Sequence, residues 1–154
     1  MARAIVVFDS KFGNTERLAM ELAAGIREGR LETDCVRYDQ VDAQRLAGYD
    51  LVAVGGPTQN ATVSKPLGAF LETLPKGSLQ GRTGFAFDTK IDSRFAGSAA
   101  KRIQYKLEKA GLTMTRPPAS AFVAGREGPL AAGSEARFRE LGAEIGKEIR
   151  ARKP

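Results

Sequence analysis

Short apolar runs recur along the chain and are typical of strands that a parallel sheet buries on both faces. Glycine, proline or polar residues follow most of these runs. The predicted strands cover residues 4–8, 31–38, 51–54, 84–87 and 112–123. The second run is weaker than the others, and Pro117 and Pro118 split the last strand into two parts.

Between these runs, apolar residues recur at the spacing of one helix face. Leu18, Leu22 and Ile26, for example, follow one another every four residues. The predicted helices begin at Thr15, at Ser64, after Gly97 and at Ser134, and a short one covers residues 42–46. Strands that alternate with helices in this way predict an α/β fold with a parallel sheet and helices on both faces.

A single domain over residues 1–154 is expected, because 154 residues are the size of one ordinary domain. The chain has no histidine, and Cys35 is its only cysteine. This composition excludes a Ser-His-Asp triad, an internal disulfide and metal sites built from histidines or several cysteines. Any chemistry must therefore come from carboxylates, lysines, hydroxyls or a bound cofactor.

The formal net charge is +6, and the sequence pI is about 9.7. Such a charge suits nucleic acid, an anionic membrane or an acidic partner, but it is also typical of a solvated surface, which we favour. Binding to nucleic acid ranks low, because acids are interspersed among the bases and no aromatic–basic stripe is present. No apolar run approaches the roughly 20 residues that span a bilayer. We therefore expect a cytoplasmic protein that does not enter a membrane.

The sharpest functional signal lies in the loop between the first strand and the first helix. In an open parallel sheet, ligands bind at the carboxyl ends of the strands. The loops at that edge are 9–15, 55–64 and 88–98. The first offers the hydroxyls of Ser10 and Thr15, the amide of Asn14 and the flexible Gly13, next to helix N–H groups that suit a phosphate. The alternative is an ordinary turn in which Asn14 or Thr15 caps the helix.

Several other phosphate-binding families do not fit the sequence. Neither the G-x-G-x-x-G fingerprint nor the G-x-x-x-x-G-K-[ST] loop is present. A low-molecular-weight phosphatase would need a cysteine in the first loop. A receiver domain would need an aspartate at the end of the third strand, where Gly55 and Gly56 stand.

Segments along nearly the whole chain resemble the flavodoxin family, in the family's order. The resembling segments are 7–16, 54–58, 64–67, 70–71, 87–89, 97–100, 122–125 and 128–130. They correspond to the phosphate loop, the two flavin loops with the helices after them, and the last strand with its turn. The resemblance implies a three-layer flavodoxin-like fold with a five-stranded parallel sheet in the order 2-1-3-4-5. It also implies that the cofactor is FMN.

The resemblance assigns residues of three loops to the cofactor. Those expected to grip the phosphate are Ser10, Lys11, Phe12, Gly13, Asn14 and Thr15. Those expected to flank the ribityl chain and one face of the ring are Pro57, Thr58, Gln59, Asn60 and Ala61. Those expected to cover the other side of the ring are Asp88, Thr89, Lys90 and Ile91, with Phe95.

Three features depart from the family pattern. The chain has no tryptophan, and its tyrosines lie outside these loops, so Phe95 either stacks on the flavin or only packs its loop down. No glycine lies between Gly56 and Gly68, where flavodoxins commonly place one to let a peptide flip. Typical flavodoxins are acidic, whereas this chain is basic.

The resulting hypothesis is an FMN-binding electron carrier that is not itself an enzyme and serves a redox partner protein. The +6 charge is compatible with an acidic partner, and we expect a monomer or a weak dimer. One alternative is an FMN-dependent reductase of a quinone-like small molecule. Another is a flavodoxin-like interaction module that has lost FMN.

Overall fold

The computed structural model describes residues 2–152. Its strands are β1 (Arg3–Phe8), β2 (Glu32–Arg37), β3 (Leu51–Gln59), β4 (Thr62–Val63), β5 (Thr83–Ile91), β6 (Thr113–Met114) and β7 (Ala119–Val123). Its α-helices are α1 (Asn14–Glu28), α2 (Lys65–Glu72), α3 (Ala99–Lys109) and α4 (Ser134–Arg152). Strands and helices alternate as the hydrophobic pattern predicts.

The sheet confirms the predicted parallel order. β1 pairs with β2 on one side and β3 on the other, and β3 pairs with β5. Both β6 and β7 pair in parallel with β5, β6 near its start and β7 near its end. Together these two short strands fill the fifth position of the sheet, so the predicted split of the last strand is also confirmed.

Two strands run further than their apolar runs indicate. β3 and β5 continue side by side past Val54 and Phe87, as far as the pair Pro57 and Thr89. β3 then turns back into β4, which pairs with it in antiparallel orientation, a hairpin that the sequence did not predict. Residues 57–59 and 88–91 therefore lie on strand ends rather than in free loops.

The short helix predicted at 42–46 is a 3₁₀ helix, Ala43–Gly48. The side chain of Asp42 caps it by accepting a hydrogen bond from the backbone N–H of Gln44 at 3.2 Å. In the described part of the chain, 3₁₀ turns and no α-helix connect β2 to β3.

Both faces of the sheet are buried, and successive residues of β1 alternate between them. Ala4, Val6 and Phe8 join the core under α1 and α4. Ile5 and Val7 join the core under α2 and α3. This arrangement explains why the strand sequence is apolar without interruption.

α1 and α4 approach so closely that glycines are required where they cross. A Cβ atom at Gly25 of α1 would lie 2.0 Å from the carbonyl oxygen of Arg139. A Cβ atom at Gly142 of α4 would lie 2.2 Å from the carbonyl oxygen of Leu22. The backbones themselves form this contact, so neither position has room for a side chain.

We predict that Gly25→Ala destabilises the protein by about 2 kcal/mol, although alanine is the better helix former, because the added methyl meets rigid backbone. Gly48→Ala is the control, since a Cβ there meets nothing within 4 Å. Its free energy of unfolding should stay within about 0.5 kcal/mol of the wild-type value. Urea denaturation measures both, and an unchanged midpoint for Gly25→Ala would contradict the backbone contact.

Candidate cofactor site

A cavity of about 420 Å³ opens at the carboxyl edge of the sheet, within the size range of small-molecule sites. Its walls come from the ends of β1, β3, β5 and β7. The residues that line it are Ser10, Lys11, Phe12, Asn14, Thr15, Pro57, Thr58, Gln59, Asn60, Thr89, Lys90, Ile91, Val123, Gly125 and Arg126. Most of the predicted site residues are therefore brought together around one space.

The loop after β1 leaves the start of α1 without a side-chain cap. The residue before the helix is Gly13, which has a positive φ of 91° and no side chain to offer. The Ser10 hydroxyl accepts a hydrogen bond from the N–H of Gly13 at 3.1 Å and so closes the loop. Backbone N–H groups of an uncapped helix start favour an anion.

The two residues proposed as alternative caps make other contacts. The side-chain amide of Asn14 donates to the carbonyl oxygen of Glu127 at 3.1 Å. The buried hydroxyl of Thr15 lies 2.9 Å from the hydroxyl of Thr89 on β5. These bonds join the first loop to the loop after β7 and to the end of β5.

Arg37, at the end of β2, supports the first loop from outside the cavity. Its guanidinium donates to the carbonyl oxygen of Ser10 at 3.1 Å and lies 3.7 Å from the carboxylate of Asp9. The pKa of Arg37 is raised, because desolvation, which opposes its charge, is outweighed by a hydrogen bond with Tyr38 and by nearby carboxylates. Sequence reasoning missed Arg37, and its place at the end of the strand beside β1 was the available signal.

The second wall is the hairpin of β3 and β4. Its two turn residues, Asn60 and Ala61, have φ values of 50° and 67°, as a type I′ turn requires. Asn60 lines the cavity, whereas Ala61 does not. A Cβ atom at Gly97 would lie 2.2 Å from the carbonyl oxygen of Ala61, so the loop before α3 packs directly on this turn.

The third wall contains three of the five predicted residues of the 88–95 region. Thr89, Lys90 and Ile91 line the cavity. Asp88 is fully buried behind the wall and does not line it. Phe95 also lies outside the lining, with 79% of its surface exposed and the Arg94 guanidinium 4.8 Å from its ring centroid.

The loop after β7 contributes a fourth wall that the site prediction did not include. Val123, Gly125 and Arg126 line the cavity there. The Asn14 amide holds this loop, and a Cβ atom at Gly128 would lie only 2.8 Å from that amide. The rule that ligands bind beyond the carboxyl ends of parallel strands would have indicated this loop too.

Three cations line the cavity, Lys11, Lys90 and Arg126, and no carboxylate does so among the described residues. The lining also contains the hydroxyl-bearing residues Ser10, Thr15 and Thr89. Cations, hydroxyls and an uncapped helix start together suit an anionic ligand with a phosphate group.

The described residues give this cavity neither a thiol nor a cluster of metal-ligating side chains. Cys35 does not line it, and burial raises the pKa of its thiol to about 11, so the thiol is protonated at neutral pH. Over residues 2–152, no cluster of three or more candidate metal ligands is present. None of the described helices is long and apolar enough to cross a membrane.

Comparison with known proteins decides the family. The family model described as Flavodoxin matches residues 6–141. The chain belongs to the flavodoxin family. Flavodoxins are FMN-binding proteins of electron transport, and FMN in this fold lies at the switch point between the first and third strands. The cavity lies at that point, and its donors fit a flavin phosphate.

Curated relatives match parts of the chain. A flavodoxin of Clostridium saccharobutylicum is 31% identical over 85 residues, which are 54% of this chain and 53% of the relative. A protein of Cupriavidus metallidurans named NAD(P)H dehydrogenase (quinone) is 29% identical over 124 residues, 65% of this chain and 62% of the relative. The chain thus spans about half, or somewhat more, of the length of these curated relatives.

Solved structures confirm the fold. A flavodoxin from the domain Archaea matches with a TM-score of 0.80 at 24% identity, over 96% of this chain and 99% of that one. Flavodoxin 1 of Bacillus cereus matches with a TM-score of 0.81 at 21% identity, over 95% and 98%. Nearly the whole length of each structure superposes on this flavodoxin.

We predict that Gly97→Ala loosens the hairpin turn, because a methyl group there meets Ala61. Gly77→Ala is the matched control, since its φ of +74° is close to the +72° of Gly97 but its Cβ meets nothing within 4 Å. The control should lose about 1–2 kcal/mol of stability from backbone strain alone. Gly97→Ala should lose at least about 1 kcal/mol more.

Chemical denaturation gives both stabilities, and amide chemical shifts of residues 59–62 report on the turn. Equal losses in the two variants, with unshifted amides at the turn, would contradict this contact.

Proposed function

We propose that this flavodoxin holds FMN in the cavity described above and carries electrons to a partner protein. The observation that carries the proposal is the uncapped start of α1 beside the hydroxyls of Ser10 and Thr15, in a cavity lined by cations and no carboxylates among the described residues. When bound, FMN supplies the redox chemistry, and the protein supplies binding, orientation and electrostatics.

The lining residues divide these tasks between them. The backbone N–H groups at the start of α1 and the hydroxyls beside them would bind the phosphate. Lys11 and Arg126 would offset its charge. The second and third walls, which end at Asn60 and Ile91, would flank the ring from two sides and exclude water.

The predicted residues outside the lining have indirect tasks in this proposal. Gly13 and Ala61 shape the turns of two walls, and Asp88 supports a wall from behind. Phe95 would cover the ring only if its loop moved inward, so we assign its exposed ring to the partner surface.

The phosphate loop predicts a strong preference for FMN over riboflavin. Each charge-assisted hydrogen bond contributes roughly 1.5–3 kcal/mol, so losing two of them should weaken binding by at least about a hundredfold. Calorimetric titration of the apoprotein with both flavins measures the ratio. The double variant Ser10→Ala/Thr15→Ala should reduce the preference.

Thr73→Ala is the control, because its hydroxyl bonds only to the Phe70 carbonyl at the far end of α2. Equal affinity for the two flavins in the wild-type protein would overturn the phosphate assignment.

The mouth of the cavity has the chemistry of a docking surface for an acidic protein. Residues 10–13, 90–97 and 123–128 contain four cations, Lys11, Lys90, Arg94 and Arg126, and two acids, Asp92 and Glu127. Three large apolar side chains are exposed among them, Phe12 at 41%, Ile91 at 48% and Phe95 at 79%. Protein interfaces commonly combine an apolar centre with a charged rim.

We predict that the rate of electron exchange with a small acidic ferredoxin falls as salt is added, because salt screens the attraction that guides docking. Arg94→Glu should slow exchange at low salt by roughly two- to fivefold. Lys147→Glu makes the same charge change on α4, thirteen residues after the helix begins, and should have little effect on the exchange rate. Stopped-flow absorbance measures these rates on FMN-loaded protein, and a rate independent of salt would count against an acidic partner.

A second candidate function is an FMN-dependent reductase of quinones. Relatives named NAD(P)H dehydrogenase (quinone) are 25–29% identical over 111–124 residues, which make up 56–62% of their length. The cationic lining would also favour an anionic nicotinamide nucleotide. Rapid oxidation of NAD(P)H by the FMN-loaded protein, only when a quinone is present, would favour the reductase over the carrier.

Three predictions from the sequence stand beside this proposal. Gel filtration tests the monomeric or weakly dimeric state, and cell fractionation tests the cytoplasmic location. A folded wild-type protein that binds no FMN would favour the interaction module.

A further inference from the structure

Two buried aspartates flank the third strand at the edge of the cavity. β3 and β5 pair Gly56 with Asp88, and β1 and β3 pair Phe8 with Gly55, which places Asp9 beside Gly56. Asp9 is 7% exposed and Asp88 is 0% exposed. Neighbouring residues in register point to the same face of a sheet, so both carboxylates face the layer of α2 and α3.

Asp88 holds the start of the hairpin. Its Oδ2 atom accepts hydrogen bonds from the Thr58 hydroxyl at 3.2 Å, the Ser98 hydroxyl at 2.8 Å and the Ala100 N–H at 2.9 Å. The Thr58 hydroxyl in turn accepts from the N–H of Ala99 at 3.0 Å. One carboxylate oxygen thus joins the hairpin to the first turn of α3.

Asp9 holds the other end of the hairpin. Its Oδ2 atom accepts from the hydroxyl of Ser64 at 2.6 Å. Ser64 is 2% exposed and directly precedes α2, where the hairpin returns to the helix layer. Arg37 lies 3.7 Å from the other oxygen of Asp9 and balances its charge.

The hairpin between these two contacts needs outside support. β4 has only two residues, and an isolated two-stranded hairpin is marginally stable in water. Its turn also has positive φ at Asn60 and at Ala61, where a Cβ atom makes that conformation unfavourable. Strained turns of this kind persist only where the surrounding structure holds them.

We propose that Asp9 and Asp88 are positioning residues that hold the two ends of the segment from Thr58 to Ser64 and so set the position of the second cavity wall. Neither aspartate lines the cavity, so each acts through a hydroxyl at one end of the segment, Asp88 through Thr58 and Asp9 through Ser64. The part of the proposal that concerns FMN rests on the function proposed above, whereas the part that concerns the hairpin does not.

The test uses variants that remove one hydroxyl each and leave both carboxylates in place. Thr58→Val breaks the contact with Asp88 together with the bond from the Ala99 N–H, and Ser64→Ala breaks the contact with Asp9. Tyr49→Phe is the matched control, because the Tyr49 hydroxyl donates to the carboxylate of Asp34 at 2.6 Å, outside the cavity. Asp9→Ala and Asp88→Ala are the stronger changes, and the hydroxyl variants decide the matter if these do not fold.

The first measurement is hydrogen exchange of the amides of residues 58–64 in the apoprotein. A lost hydrogen bond should speed exchange there by about fivefold, and a lost aspartate by at least about tenfold. The Tyr49→Phe control should leave this segment unchanged. Exchange that is no faster in the hydroxyl and aspartate variants than in the control would overturn the proposal.

The second measurement is the affinity for FMN, with the visible circular dichroism of the bound flavin. Ser64 does not line the cavity, yet Ser64→Ala should weaken FMN binding by about fivefold and change the dichroism if it moves the wall. A loosened hairpin with unchanged FMN affinity and dichroism would overturn the role in setting the wall. If the wild-type protein binds no FMN, the proposed function fails while the exchange rates still decide the role of the aspartates.

Discussion

At Gly55 and Gly56, the third strand passes between two buried side chains that come from opposite faces of the sheet. A Cβ atom at Gly55 would lie 2.1 Å from the ring of Phe87, and one at Gly56 would lie 2.6 Å from Leu67. Phe87 packs edge-to-face against Phe138 of α4. Leu67 is a residue of α2 and is buried in the core on the other face of the sheet. Side chains at these two positions would clash with Phe87 and Leu67, so the strand that leads to the second cavity wall passes between them without a Cβ atom.

At the carboxyl edge of the sheet, the cations and the two buried aspartates lie at different depths. The cations line the cavity or its mouth, whereas Asp9 and Asp88 lie behind the walls. Oδ2 of Asp9 accepts a hydrogen bond from one hydroxyl, and Oδ2 of Asp88 accepts from two hydroxyls and a backbone N–H, while the buried Oδ1 of Asp88 has no hydrogen-bond partner. A buried carboxylate is costly unless it has such partners. The same bonds therefore stabilise the carboxylates and fix the walls, and they leave the space inside the cavity favourable to anions.

The sequence was sufficient for the architecture, because strands buried on both faces produce continuous apolar runs and helices produce a periodic face. It was not sufficient for the ends of β3 and β5, where polar residues from Pro57 and Asp88 onward continue the ladder without an apolar signal. The hairpin turn was hidden for a similar reason, since alanine at positive φ has no turn signature of its own.

The cavity could be located from the sequence, but its supports could not. The segment from Ser10 to Thr15 can be recognised in the sequence as a polar loop between a strand and a helix. Arg37 and Arg126 are ordinary surface arginines in the sequence, and only the sheet order and the long-range bond from Asn14 to Glu127 bring their segments to the site. Contacts between residues far apart in the chain leave no local pattern in the sequence. The second wall and its aspartates could therefore be identified only from the folded structure.

The aromatic rings at the mouth of the cavity are each paired with a cation. The ammonium of Lys11 lies 5.5 Å from the ring of Phe12, and the guanidinium of Arg94 lies 4.8 Å from the ring of Phe95. A partner that buried these rings together with their cations would have to compensate the positive charge, because burying an uncompensated cation costs more than burying the ring gains. The pairing of rings with cations is therefore the feature of this surface that supports the acidic partner of the proposed function.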